Sequence, residues 1–152
     1  MRVLVLDDDP LTAFTLSRLF AVRAIGVTTV ATADAAEQAL ETERFDALLV
    51  DSQADHAKGL RLFARARELD AAISLFLVGD RAAGAGREDA DIYYIEKPWD
   101  GFFVVDVVRM RCSRERVPAG SGGRPRTQDD RPTVNIKPIR NETRQGRESA
   151  AT

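Results

Sequence analysis

Three apolar segments of the sequence each end in charged residues whose types suit phosphoryl chemistry. These residues are Asp7, Asp8, Asp9, Asp51 and Lys97, the last of them followed directly by a proline. If the segments form neighbouring parallel strands, their carboxyl ends meet at one edge of the sheet, where such folds bind ligands. Carboxylates are ligands that magnesium prefers, and an ammonium group pairs with phosphoryl oxygens. The pattern therefore predicts a site for a hard cation and a phosphoryl group.

The apolar segments alternate with helical patterns, which favours βα units and a parallel sheet. The five predicted strands cover residues 2–6, 27–31, 47–50, 74–78 and 92–95. Apolar spacing predicts helices over residues 10–25, 35–42, 59–69 and 101–113. Gly26 is expected to close the first helix, and Asp34 with Glu37 to form a capping box for the second. Glycines between residues 79 and 91 favour a short or irregular fourth helix. The predicted fold class is α/β, with a doubly wound five-stranded parallel sheet.

Composition is that of an ordinary soluble globular chain. The 152 residues are 44% hydrophobic and 30% charged, so one domain is expected. The single cysteine, Cys112, excludes an intramolecular disulfide and a cysteine-built metal site, and is expected to be a packing or surface residue of the last helix. No apolar stretch is long enough to span a bilayer, and no signal peptide is visible. A cytoplasmic location is the expectation.

The charge is distributed unevenly along the chain. Residues 1–115 carry a net charge of −6, and residues 116–152 carry +4. The basic part is rich in Pro, Gly, Ser and Thr, which predicts a folded domain over 1–115 and a disordered tail over 116–152. Its scattered arginines would suit nucleic acid or anionic lipid, but no aromatic residues are interleaved to stack on bases. A solvated tail is favoured, and it is too short and polar for a helix-turn-helix DNA-binding domain.

The motifs, in this order, resemble those of a response-regulator receiver domain, the phosphoacceptor module of two-component signalling. They are Val-Leu-Val-Leu-Asp-Asp-Asp-Pro at strand one, Leu-Leu-Val-Asp with a glycine eight positions on, and Lys-Pro after strand five. The resemblance covers residues 1–115 and implies a flavodoxin-like fold. It also implies that a histidine kinase or phosphotransfer protein donates a phosphoryl group to this chain.

The resemblance assigns a role to each strand-end residue. Asp51 is the implied phosphoacceptor nucleophile. The side chains of Asp7, Asp8 and Asp51, with the backbone carbonyl of Gln53, are the implied magnesium ligands. Lys97 is expected to pair with the phosphoryl oxygens, and the peptide bond that follows it is expected to be cis.

In receivers, two positions connect phosphorylation to a change at the surface. This sequence departs from the usual residue at the first and matches it at the second. Receivers usually carry Thr or Ser at the end of strand four, and Gly79 stands there, so the hydroxyl is missing. Asp80 replaces a small residue and would repel a phosphoryl group unless magnesium or Lys97 screens it. Tyr94 matches the aromatic switch residue on strand five. The segment before Lys97 is short for the family, so the output is expected to be atypical.

Simpler interpretations stay open for several of these residues. Asp7 and Asp8 would also favour a helix dipole, and Asp9 is expected to be a solvated or capping residue. Tyr94 fits an ordinary half-buried strand tyrosine as well as a switch. His56 is expected to be an exposed loop residue.

The sequence therefore favours a stand-alone receiver that is phosphorylated on Asp51 with magnesium and acts through protein contacts. It is not expected to be an enzyme in the turnover sense, and a homodimer is left open. One alternative is a degenerate receiver, an interaction module that works without phosphorylation. A magnesium-dependent phosphohydrolase ranks last.

Overall fold

The computed structural model describes residues 1–54, 56–80 and 92–115. The strands are β1 (Arg2–Leu6), β2 (Gly26–Val30), β3 (Ala47–Asp51), β4 (Ser74–Gly79) and β5 (Ile92–Glu96). The helices of this part of the chain are α1 (Pro10–Val22), α2 (Ala33–Thr42), α3 (His56–Leu69) and α4 (Gly101–Glu115). The strands form one parallel sheet in the order β2-β1-β3-β4-β5. The predicted doubly wound α/β fold is confirmed, and its strand order reverses beside β1 and β3.

In the described part of the chain, two helices cover each face of the sheet. Helices α2 and α3 pack on one face, where Leu48 and Val50 of β3 contribute to the core. Helices α1 and α4 pack on the other face, where Ala47 and Leu49 contribute. Because β3 is covered on both sides, all its residues are buried. Its continuous apolar run is typical of a parallel strand that is buried on both faces.

The first helix ends earlier than predicted. Helix α1 stops at Val22 rather than Ile25, because Ala24 adopts a left-handed φ of 56° that a helix cannot continue. Gly26 does not close the helix. It begins β2, and its N–H donates to the carbonyl of Met1 over 3.1 Å.

The second and third helices begin before the predicted residues. Thr32 caps α2, since its hydroxyl accepts from the N–H of Ala35 over 3.3 Å. The predicted capping box at Asp34 is therefore wrong, and Asp34 instead lies in the first turn, where its charge favours the helix dipole. Helix α3 begins at His56, three residues before Gly59, so the loop placement of His56 is also wrong.

Two predicted features lie outside the described residues. They are the short or irregular helix after Gly79, of which residues 81–91 are not described, and the tail over 116–152. Among the helices that are described, none combines the length and apolar character needed to cross a bilayer.

Candidate functional site

The strand register brings the predicted site residues to one edge of the sheet. Leu6 of β1 pairs with Val50 of β3, so Asp7 and Asp51 end neighbouring strands. On the other side of β3, Asp51 pairs with Val78 of β4. Gly79 pairs in turn with Glu96 of β5, directly before Lys97. Four adjacent strands thus deliver Asp7, Asp51, Gly79 and Lys97 to the same edge.

Asp51 and Lys97 form the central contact of this edge. The Lys97 Nζ lies 2.5 Å from Asp51 Oδ2, and the side chains are 27% and 7% exposed. The other carboxylate oxygen, Oδ1, accepts the backbone N–H of Gln53 over 2.9 Å. Both oxygens of Asp51 are therefore held, and the carboxylate has a fixed orientation at the end of β3.

Asp7 is a second buried carboxyl group at this edge, with only 5% of the residue exposed. Its Oδ1 accepts the backbone N–H of Asp9 over 2.9 Å. Burial raises the pKa of Asp7 and the negative charge of Asp51 raises it further, while the Asp9 N–H and Lys97 act in the opposite direction. The buried pair Asp7 and Asp51 carries more negative charge than the single ammonium of Lys97 offsets.

The next two acids differ in what they contact. Asp8 is exposed to solvent. Asp9 caps helix α1, since its carboxylate accepts the N–H groups of Leu11 and Thr12 over 3.1 and 3.3 Å and the Thr12 hydroxyl over 2.5 Å. The Thr12 hydroxyl bond, with these backbone bonds, lowers the pKa of Asp9. The predicted capping role of Asp9 is confirmed.

The acids of this edge supply the kind of donors that magnesium prefers. Asp7 and Asp51 are buried with an excess of negative charge, and Asp8 is accessible beside them. Within residues 1–54, 56–80 and 92–115, no group of three His, Cys, Asp or Glu side chains is placed so that it could hold a metal ion by itself. Magnesium retains several waters and needs only one or two carboxylates from the protein, so this donor set fits it. The assignment of Asp7, Asp8, Asp51 and the Gln53 carbonyl as magnesium ligands stays a prediction.

A shallow depression of about 330 Å³ opens beside these acids, between the start of α1 and the end of β2. Asp7, Asp8 and Phe14 are among its lining residues, and Phe14 is 63% exposed. The depression leaves the acidic edge open to solvent on the side of α1.

Tyr94 and Gly79 contact each other directly. The Tyr94 hydroxyl lies 2.6 Å from the carbonyl oxygen of Gly79 and also contacts the carbonyl of Asp80. The Gly79 carbonyl additionally accepts the backbone N–H of Lys97 over 2.8 Å. Burial, then the charges of Glu96 and Asp80, raise the pKa of Tyr94, so the phenol stays a proton donor. The ring is half-buried, and its role as a switch stays a prediction.

A contact between the side chains of Gln53 and Asp80 was not predicted. The side-chain amide of Gln53 donates to Asp80 Oδ2 over 3.2 Å. From the sequence, only the backbone carbonyl of Gln53 and the repulsive charge of Asp80 had a predicted role. Nothing in the spacing of 27 residues indicates that the two side chains meet.

The peptide bond between Lys97 and Pro98 is cis, as predicted.

A family model described as the response regulator receiver domain matches residues 3–102. Because this match covers most of the chain, the protein belongs to the response regulator receiver domain family. None of the curated proteins matches the chain.

Solved structures of receiver domains share the fold. A CheY-like receiver domain protein from Methanospirillum hungatei is 20% identical, with a TM-score of 0.67 over 75% of this chain and 94% of its own. The receiver domain of the sensor histidine kinase PA1611 from Pseudomonas aeruginosa, solved with magnesium coordinated in its active-site cleft, is 19% identical. Its TM-score is 0.62 over 74% of this chain and 97% of its own. A transiently phosphorylated switch in bacterial signal transduction is 22% identical, with a TM-score of 0.65 over 75% and 95%. At these identities the likeness establishes the fold alone.

Proposed function

We propose that this receiver domain accepts a phosphoryl group on Asp51 from a histidine kinase or a phosphotransfer protein. The observation that carries the proposal is the contact of 2.5 Å between Asp51 and Lys97 at the carboxyl edge of the sheet. The carboxylate is oriented by a backbone N–H and a cation, while a solvent-open depression lies beside the neighbouring acids. These are the parts that phosphoryl transfer requires, namely positioning and charge neutralisation.

The transfer places distinct demands on Asp51 and Lys97. A carboxylate oxygen of Asp51 forms a bond to phosphorus as the bond from phosphorus to the donor imidazole nitrogen breaks. The imidazole keeps the electron pair and takes up a proton. In the resulting acyl phosphate the negative charge lies on the phosphoryl oxygens rather than on the carboxyl group. The ammonium of Lys97 therefore follows the charge from Asp51 Oδ2 to those oxygens, acting as a point charge.

Magnesium is the proposed cofactor. Asp7, Asp8 and Asp51, with the carbonyl of Gln53, would hold it, and the ion would neutralise charge on the transferred group. Its support is the excess negative charge of the two buried acids. The magnesium in the cleft of the receiver domain of PA1611 supports the same assignment.

We assign the output to contacts with another protein in the cytoplasm. Receiver domains are in general signalling modules rather than enzymes, and this domain would catalyse only phosphoryl transfer to and from its own Asp51. Residues 116–152, with their net charge of +4, are proposed to be a solvated basic tail. This assignment favours a stand-alone protein, which would act either as a monomer or as a homodimer.

A degenerate receiver is the second candidate function. Its support is the missing hydroxyl at Gly79, together with the contact of the Tyr94 hydroxyl with the backbone carbonyls of Gly79 and Asp80. Because Gly79 has no hydroxyl, the usual coupling between the phosphoryl group and the aromatic switch is missing. In this function the domain binds its partner with the same affinity whether or not Asp51 is modified.

The deciding experiment is intact-protein mass spectrometry after incubation with acetyl phosphate and magnesium. Wild type is expected to gain one phosphoryl group, and Asp51→Asn none. Asp34→Asn is the matched control, because Asp34 is an exposed acid on α2 and is expected to leave labelling unchanged. Labelling of Asp51→Asn to the wild-type level would exclude Asp51 as the acceptor. An unlabelled wild type would favour the degenerate receiver.

A further inference from the structure

We infer that Gln53 and Asp80 are positioning residues that link the charge on Asp51 to the backbone held by Tyr94. They would take the place of the hydroxyl that is missing at Gly79. The inference rests on the proposed phosphorylation of Asp51 and adds to it the route by which the modification reaches β5.

Gln53 contacts both ends of this link. Its backbone N–H donates to Asp51 Oδ1 over 2.9 Å, so the residue lies directly against the phosphoacceptor. Its side-chain Nε2 donates to Asp80 Oδ2 over 3.2 Å. A single residue therefore connects the end of β3 with the chain that follows β4.

The backbone at Gly79 and Asp80 is in turn tied to β5. The Tyr94 hydroxyl contacts both carbonyl oxygens, and the N–H of Lys97 donates to the Gly79 carbonyl over 2.8 Å. A phenol has one proton, so Tyr94 donates to only one of the two carbonyls at a time. If the Asp80 backbone moves, Tyr94 can therefore give up the Asp80 carbonyl and donate to the Gly79 carbonyl instead.

Phosphorylation changes the charge that this link experiences. The carboxylate of Asp51 carries about one negative charge, whereas a phosphoryl group carries about −1.5 to −2. Among the described residues, the neutral amide of Gln53 contacts the Asp80 side chain, and the neutral phenol of Tyr94 contacts the Asp80 backbone. The negative charge of Glu96 also acts on this phenol. None of these groups is a cation, so the added negative charge is offset at Asp51 itself, by Lys97 and the proposed magnesium, and not at Asp80.

The expected rearrangement follows from hydrogen-bond chemistry. The amide of Gln53 exchanges the Asp80 carboxylate for a phosphoryl oxygen, which is a strong acceptor and lies nearer to the residue's own backbone. Asp80, repelled and released, draws its backbone away from Tyr94. The hydrogen bond from Lys97 N–H to Gly79 is then weakened, so the end of β5 reports the state of Asp51.

The test is hydrogen exchange of the Lys97 amide in the full chain, measured with and without beryllium fluoride and magnesium. Beryllium fluoride mimics the acyl phosphate, and fluorine NMR measures independently the fraction of the protein that has bound it. In wild type the ligand is expected to speed exchange at Lys97 by about tenfold, as for a local opening of this edge. In Asp80→Asn, which removes the charge and keeps the shape, the acceleration is expected to fall below about twofold.

Two further variants separate the link from a general structural effect. Asp34→Asn removes an exposed carboxylate on α2, away from this link, and it is expected to respond like wild type. Gln53→Met removes the amide and is expected to lose the response, as Asp80→Asn does. A wild-type response in Asp80→Asn with the mimic bound would overturn the inference and leave the phosphorylation of Asp51 standing. Failure of wild type to bind the mimic or to gain a phosphoryl group would overturn both.

Discussion

The ammonium of Lys97 lies 2.5 Å from the carboxylate of Asp51, although 46 residues separate the two in sequence. The contact joins β3 to the residue that follows β5, across the intervening strand β4. It holds a cation where a phosphoryl group on Asp51 would need one. It also compensates a carboxylate of which only 7% of the side chain is exposed.

Replacing Lys97 by Met is expected to slow labelling of Asp51 by acetyl phosphate by about a hundredfold, because a charge that stabilises the transferred group is lost. The variant should also lose about 1–3 kcal/mol of stability, since the buried Asp51 carboxylate keeps one fewer partner. Labelling rates by mass spectrometry and urea denaturation measure the two effects. Lys58→Met is the control, because Lys58 forms an exposed ion pair with Asp34, with 3.8 Å between Nζ and Oδ1. Equal labelling rates in the two variants would contradict the role of Lys97.

Replacing Asp7 by Asn is expected to raise the free energy of unfolding at neutral pH without magnesium. Burial raises the pKa of Asp7 in the folded state above its ordinary value of 3.8. Between the unfolded and folded pKa values the folded protein binds more protons, so wild-type stability falls as the pH rises through that window. Above the pKa of Asp7 in the folded state, wild type bears the full free-energy cost of burying the charged carboxylate. Asn removes this cost and still offers an oxygen that accepts the Asp9 N–H.

Urea denaturation of both proteins across the acid range measures this difference. The advantage of Asp7→Asn is expected to shrink as the pH falls through the raised pKa and to vanish below 3.8, where Asp7 is protonated in both states. A variant that is less stable than wild type at neutral pH would show that burial does not penalise the charged form of Asp7.

Magnesium is expected to stabilise the folded domain, because the ion binds the acidic edge only when the strands assemble it. A concentration one hundred times the dissociation constant would add about 2.7 kcal/mol to the free energy of unfolding. Asp8→Asn should lose most of this gain, while Asp9→Asn should keep it, since an Asn at that position still caps α1. Thermal unfolding with magnesium or with a chelator measures the gain. An equal gain in both variants would exclude Asp8 as a ligand.

Replacing Gly101 by Ala is expected to cost about 0.5–1.5 kcal/mol, because the added methyl group would force the end of the Leu19 side chain on α1 out of its rotamer. A Cβ at Gly101 would lie 2.2 Å from Leu19 Cδ1. Gly26→Ala is the matched control, since a Cβ there would meet its nearest atom at an ordinary 3.6 Å. Urea denaturation compares the two variants. In a Leu19→Ala background the cost of Gly101→Ala should largely disappear.

The fold was predictable because each strand and helix has its own pattern. The continuous apolar run of β3 requires cover on both faces, which predicts a parallel sheet between helix layers. The boundaries were less predictable, since Thr32 and Asp34 are both competent caps. The backbone uses Thr32, whose hydroxyl reaches the N–H of Ala35. The left-handed turn at Ala24 likewise has no signature in the residue type.

The sequence by itself determined which acids and which lysine follow the strands, because a short apolar run bounded by polar residues favours a strand. It did not determine how the polar side chains beyond those ends pair with one another. The bond from Gln53 to Asp80 and the contacts of Tyr94 with the Gly79 and Asp80 carbonyls join residues of different strands. Such contacts depend on strand register and on the direction of each side chain. Only the tertiary structure decides them, because the residues involved carry no periodic pattern that links one to the other.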